Sequence, residues 1–433
     1  MTAQRHVHLV RFMDTGFAAA VFMLSSDAFM FLGLHSPLWL LCYGYCLLRL
    51  SMHFRLALQA LAENWVFLLF PAISLFSILW SAQPSGTIRF SVQLAMTVLM
   101  AVFIGQTMQP RRILLIFGGV MTVAMLASLM NISGIFPRAY DHRGYFQGIF
   151  ISKNALGHRA VLFAITCVFA AFILPRVPLR LRFMYIVMLA FTAFMVSISG
   201  SATSMLLCVV APLAALALWV AMGWRDAWLA LLGMIALAIA VTAGLVGLLR
   251  IDPMNEVLNL VGRDASLTGR TVLWDFGWRY YLQEPWLGYG ANGFWTDPRF
   301  ANSIIALQTR YGDGVVGFHN LTVELLVMLG PVGLVAHYSQ IIVALRRAFF
   351  HARNHADPVA VWAIAIIIAN FAMAQLGAQL YQPHAIPLIL IVALGVSFGP
   401  VPSVSPRRHW ITSGRSARAG RPTARYALLP EQG

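Results

Sequence analysis

Residues 87–130 read TIRFSVQLAMTVLMAVFIGQTMQPRRILLIFGGVMTVAMLASLM. Two apolar runs, 87–106 and 112–130, flank the pair Arg111 and Arg112. Each run is close to the about 20 residues that a helix needs to cross hydrocarbon. A cationic turn between two such runs marks a membrane hairpin whose turn is cytoplasmic. Working outward, the pattern recurs at 13–33, 37–50, 64–80, 157–175, 182–198, 201–222, 227–249, 319–345, 359–376 and 384–399. Arg5 and Arg11 precede the first run, and Arg49 and Arg55 follow the second. Arg176, Arg180 and Arg182, then Arg225, then Arg346, Arg347 and Arg353 occupy the later turns of the same side. The alternate short loops, 34–36, 81–86, 199–200 and 377–383, hold no Lys or Arg. The sequence therefore predicts an all-α polytopic integral membrane protein of about 12 transmembrane helices with both termini cytoplasmic. One large outer loop separates spans 9 and 10.

Composition agrees. The chain has 433 residues, 60% hydrophobic and 10% charged, where soluble domains carry about 25% charged residues. A soluble single domain and a disordered chain are both excluded. Cys42, Cys46, Cys167 and Cys208 all lie in apolar runs, which excludes a disulfide scaffold and a metal or redox motif. The net charge is +15. Its cations sit between spans rather than along one stripe, so the membrane, not nucleic acid, accounts for them. The organisation is a cytoplasmic N-terminus at 1–12, a membrane domain at 13–400, and a basic tail at 401–433 that reads as disordered.

Two outer segments break the charge rule. Residues 131–156 carry Arg138, Arg143 and Lys153, the single lysine of the chain. Residues 250–318 carry Arg250, Arg263, Arg270, Arg279, Arg299 and Arg310. An anionic ligand and lipid headgroups both account for this charge. Ser152 is a candidate N-cap that would put Lys153 beside a helix N-terminus, where an anion is favoured. Thr268 to about Gln283 has a helical pattern, with Arg270, Trp274, Trp278 and Tyr281 on one face at the level of the headgroups. Pro285 to Phe294 follows, with three glycines in six residues, and then His319-Asn320 at the mouth of the tenth span. Arg89, just inside the fourth span, either snorkels outward or points into a cavity.

Four stretches carry a family resemblance. They are Trp80-Ser81-Ala82-Gln83-Pro84 with Arg89; Gly148 to Gly157 with Lys153-Asn154; Gly262 to Thr271 with Pro285 to Gly290; and His319-Asn320 with Glu324 and Gly330. In this order they resemble the bacterial O-antigen ligase and polymerase superfamily, including exopolysaccharide polymerases of the succinoglycan type. The resemblance implies a GT-C-like glycosyltransferase of the inner membrane working on the periplasmic face without metal or cofactor. It implies an undecaprenyl-diphosphate-linked glycan as donor. The acceptor is a sugar hydroxyl, on lipid A–core for a ligase or on a lipid-linked repeat unit for a polymerase. Direct displacement would invert the anomeric centre.

Within that frame His319 is the expected base, since imidazole titrates near ambient pH. Arg270 is the expected principal diphosphate contact, because fixed positive charge is needed where the leaving group develops negative charge. Arg143, Lys153, Arg89 and Arg263 are expected to bind the same diphosphate. Asn320 and Asn154 are expected supports, and Tyr289 is expected to line the sugar path. A transporter or flippase of a lipid-linked sugar is the competing class. It lacks the two-fold internal repeat such folds usually show.

Overall fold

The computed structural model describes residues 2–222, 233, 266–311, 317–377 and 380–399. Its named helices are α1 (Thr2–Ser25), α2 (His35–Met52), α3 (Phe54–Glu63), α4 (Val66–Phe76), α5 (Pro84–Thr107), α6 (Pro110–Met130) and α7 (Lys153–Val168). They continue with α8 (Leu179–Ser199), α9 (Ala202–Ala221), α10 (Ser266–Tyr281), α11 (Ala301–Tyr311), α12 (Leu321–His355), α13 (Pro358–Gly377) and α14 (Ile386–Ser397). No strand is present among the described residues; the β-type pairing there is a single antiparallel bridge between Tyr140 and Phe146. The expectation of an all-helical polytopic membrane protein holds at that level.

By length and composition, seven of the described helical stretches can cross a membrane, or eight if the bent pair Phe54–Glu63 and Val66–Leu79 counts as one span. The pair meets at 91°. The stretch expected to be a cytoplasmic loop after the second span is thus a helix, α3. The span expected at 384–399 forms a helix of 12 residues, about 18 Å long at 1.5 Å per residue, too short to cross alone. The span expected at 227–249 lies outside the described residues. Among the described residues, seven or eight spans meet this test of the twelve expected.

α1 and α2 fall outside that test. They are tied by a buried ion pair, Arg49 Nε to Asp14 at 3.2 Å, and the Tyr45 hydroxyl donates to the same carboxylate at 2.7 Å. Inside a membrane domain each of these charges is tolerated because the other neutralises it.

The centre of the bundle is formed by α7, α13 and α14, most of whose side chains are buried, with the second half of α5 packed among them. α12 matters most for the site, because it is broken. Gly330 sits at φ 63°, ψ −164°, and Pro331 follows it. Pro331 has no N–H, so the carbonyl of Val327 loses its helical donor. The Gly-rich loop after α10 supplies the replacement: Tyr289 N donates to Val327 O at 3.0 Å and Gly290 N to Met328 O at 2.9 Å. Irregular backbone at such depth persists where it is buried in protein and its polar groups are satisfied. The glycines are there for space. A Cβ on Gly288 would lie 2.4 Å from Val327 O, and one on Gly330 would lie 2.1 Å from Trp286 O.

The same loop is fastened to α4 and α5. Trp80 Nε1 donates to Leu287 O, Ala291 N donates to Ser77 Oγ, and Thr87 Oγ1 donates to Ala291 O. The first and third of the stretches that carry the resemblance are thus in direct contact.

Candidate active site

α10 holds Arg270 one turn from Trp274, and Trp274 fixes the helix to the approach of α12. Its indole N–H donates to Phe318 O at 2.9 Å. Gly277 allows the close approach, since a Cβ there would lie 2.9 Å from the Phe318 ring. Around this contact lies a second, smaller aromatic core of Trp274, Tyr289, Phe294, Leu307 and Phe318. The aromatic face expected to lie in the headgroups is split. Trp274 is buried and Trp278 is 48% exposed. The two rings are four residues apart, about 40° around a helix of 3.6 residues per turn, so they lie on either side of the edge of the buried stripe.

His319 follows Phe318 directly. Its backbone is left-handed, φ 54°, a conformation that a non-glycine residue holds when its surroundings impose it. Asn320 is the N-cap of α12: its side-chain oxygen accepts from Val323 N at 3.1 Å and its amide donates to Gln375 O at 3.1 Å. The expectation that Asn320 supports its neighbour has this physical form.

Arg270 and His319 come within each other's electrostatic reach. Burial, and then the Arg270 charge, pull the His319 imidazole down to about 4, so the ring is neutral at pH 7. Burial pulls the Arg270 guanidinium down as well. Its Nη1 is buried and has no hydrogen-bond partner among the described residues. His158, six residues into α7, feels the charges of both Arg270 and His319. Through His158 the α7 end that carries Lys153 belongs to the same neighbourhood. Five residues of helix separate the two, a rise of about 7.5 Å.

Ser152 caps α7 as expected, accepting from Ala155 N at 3.1 Å. The Lys153 ammonium lies 3.4 Å from the centre of the Tyr145 ring. Asn154 Oδ1 accepts from Ser201 Oγ at 3.3 Å, joining α7 to the start of α9. Arg143 is exposed in a turn organised by Asp141, whose carboxylate accepts from Arg143 N and Tyr145 N, each at 2.9 Å. Arg89 is exposed on the second turn of α5. Tyr289 is buried in the aromatic core, and its hydroxyl donates to Tyr280 O at 3.0 Å. Arg263 lies outside the described residues.

The structure therefore brings Arg270, His319 and His158 together. It leaves Arg143 and Arg89 at the surface and commits Tyr289 to packing. Sequence reasoning did not single out His158. Its position one turn beyond Asn154 on a capped helix was the available signal. Arg159 beside it is accounted for differently, by an ion pair to Asp27 at 2.5 Å.

Residues 187–338, which include α10 with Arg270, His319 and the break at Gly330, match the family model for O-antigen ligase. The chain is related to the O-antigen ligase and polymerase superfamily. It is also similar to the exopolysaccharide production protein ExoQ of Rhizobium meliloti (strain 1021), 28% identical over 297 residues. That alignment covers 68% of this chain and 67% of the relative. Three of the stretches that carried the resemblance in the sequence meet here: Trp80 bonds to the Gly-rich loop, and that loop bonds to the broken α12, at whose start His319-Asn320 lies.

Proposed function

We propose that this chain is a multi-pass glycosyltransferase of cell-envelope polysaccharide biosynthesis. It moves a glycan from a polyprenyl-diphosphate carrier to a sugar hydroxyl at the outer face of the inner membrane. One observation carries the reading: a half-buried arginine whose buried Nη1 has no hydrogen-bond partner among the described residues stands within electrostatic reach of a neutral, half-buried histidine. A partly desolvated cation is poised for an anion, and a neutral imidazole is poised for a proton. In the proposed step the acceptor O–H gives its proton to the His319 ring and the oxygen bonds to the anomeric carbon. The bond from that carbon to the diphosphate breaks, and the diphosphate leaves with the electron pair, its charge met by Arg270. The resemblance to an exopolysaccharide production protein favours a lipid-linked repeat unit as acceptor.

The test is a deletion strain complemented with wild type or with His319→Ala, with undecaprenyl-linked glycans sized beside lipopolysaccharide and secreted polysaccharide. Single lipid-linked repeat units without polymer are expected. Long lipid-linked chains with bare core would mean a ligase instead. A wild-type profile from His319→Ala would remove the histidine as base, and no change on deletion would return the transporter reading.

The pH dependence follows with its sign. His319 is base-competent when neutral, so kcat/KM, which reports the free enzyme, should be flat through pH 6.5. It should fall only as the pH drops to about 4. Bound diphosphate places negative charge nearby, which favours imidazolium. The acid limb of kcat should therefore lie at higher pH than that of kcat/KM. A kcat/KM profile falling at pH 6–7 would indicate a solvent-exposed histidine as the base.

A further inference from the structure

Glu324 is a buried carboxylate, 3% exposed, with no cation bonded to it among the described residues. It lies in the first turn of α12, five residues after His319. Its Oε1 accepts the backbone N–H of Phe318, the residue before His319, at 2.5 Å. The Trp295 indole and the Tyr381 hydroxyl lie against the same carboxylate. Gly317 leaves room for it, as a Cβ there would lie 2.8 Å from Oε1.

The carbonyl of Phe318 is held from the other side by Trp274 at 2.9 Å. On the far side of His319, the Asn320 side chain is bonded to both α12 and α13. Both peptide groups that bracket Phe318 are thus clamped, and the residue after His319 is clamped too. The left-handed backbone at His319, φ 54°, has little freedom left between these points. Burying a carboxylate is costly unless its interactions compensate it. The interaction that involves the site is the one to Phe318 N.

We propose that Glu324 is a positioning residue: its bond to the Phe318 amide holds the His319 backbone, and hence the imidazole, at the angle at which it faces Arg270. The proposal rests on the transferase reading for its kinetic consequence, though not for its structural one. A displaced base costs rate rather than affinity, and a misplacement of 1 Å can cost about 10²-fold.

The experiment compares Glu324→Leu and Glu324→Gln with wild type in reconstituted membranes, using a lipid-diphosphate-linked repeat unit as donor. Glu324→Leu should lower kcat by about 10²-fold with KM little changed. Glu324→Gln keeps an oxygen that accepts from Phe318 N and should recover most of that loss. In parallel, hydrogen exchange of the peptide spanning 317–323 is measured on the same samples. It should rise in Glu324→Leu and stay near wild type in Glu324→Gln. Unchanged exchange in Glu324→Leu overturns the proposal, as does a Gln variant no better than Leu in rate, which would give the carboxylate a proton role. Wild type inactive on this donor would sink the transferase reading. The exchange data would then decide by themselves whether Glu324 orders the loop.

Discussion

Arg270→Ala should reduce glycan transfer by about 10²–10³-fold, the loss typical when one preorganised donor to a developing anion is removed. The size follows from the environment of the side chain. The side chain is half-buried on α10, burial has already lowered its affinity for its proton, and Nη1 is buried and meets no partner among the described residues. Such a group has given up water without gaining a protein acceptor. An anionic ligand would complete it in surroundings where charge is poorly screened. Arg270→Lys keeps the charge and loses the planar fork, so it should fall between the two. Stability should move the other way. Removing an uncompensated buried cation should leave the thermal midpoint unchanged or raise it. Full transfer by Arg270→Ala would refute the diphosphate role; a lowered midpoint with proportionate loss of activity would make Arg270 a packing residue.

Gly330→Ala should cost about 3 kcal/mol or more of stability, among the larger effects of a single methyl group. Two causes add. The backbone at φ 63°, ψ −164° belongs to a region that only glycine occupies readily, and the new Cβ would lie 2.1 Å from the carbonyl of Trp286. The neighbouring loop cannot simply retreat, since Tyr289 N and Gly290 N are bonded to the carbonyls that the break exposes. The variant should melt well below wild type in detergent and give little folded protein. Gly119→Ala is the control. It sits mid-helix in α6 with nothing within 4 Å of its Cβ and should stay within about 1 kcal/mol of wild type. Equal melting of Gly330→Ala and wild type would mean that the break in α12 is not held by the loop.

The Gly-rich loop shows where reading along the chain stops. From the residues alone, Gly288, Gly290 and Gly293 announced special backbone, whereas the tenth span was expected to run unbroken over 319–345 and the break at Gly330-Pro331 was missed. Neither could announce the other as its partner, because about 40 residues separate them in the chain and hydrogen bonds between backbones carry no side-chain signature. The same limit applies to Tyr289 and Trp274. Both are amphipathic rings that suit a headgroup layer or a sugar path, and both turned out to be buried in the aromatic core under the outer segment. The cations illustrate it once more. Arg270, Arg143 and Arg89 are one residue type on one face by the charge rule, yet Arg143 and Arg89 are exposed while Arg270 is half-buried within electrostatic reach of His319.

The sequence by itself determined the class of molecule. A periodic alternation of apolar runs and cationic turns is a property of nearest neighbours along the chain and of the water–lipid boundary, so it can be read without knowing what packs on what. It determined local caps as well, such as Ser152 on α7, because capping involves residues three apart. The tertiary structure decided how many of the runs are helices long enough to span, since the bend between α3 and α4 and the shortness of α14 depend on what they pack against. It also decided which polar residues share a site. His158, Arg270, His319 and Glu324 come from three helices and one entrance loop, and burial is what makes Arg270 and His319 chemically distinct from the exposed arginines and histidines elsewhere in the chain.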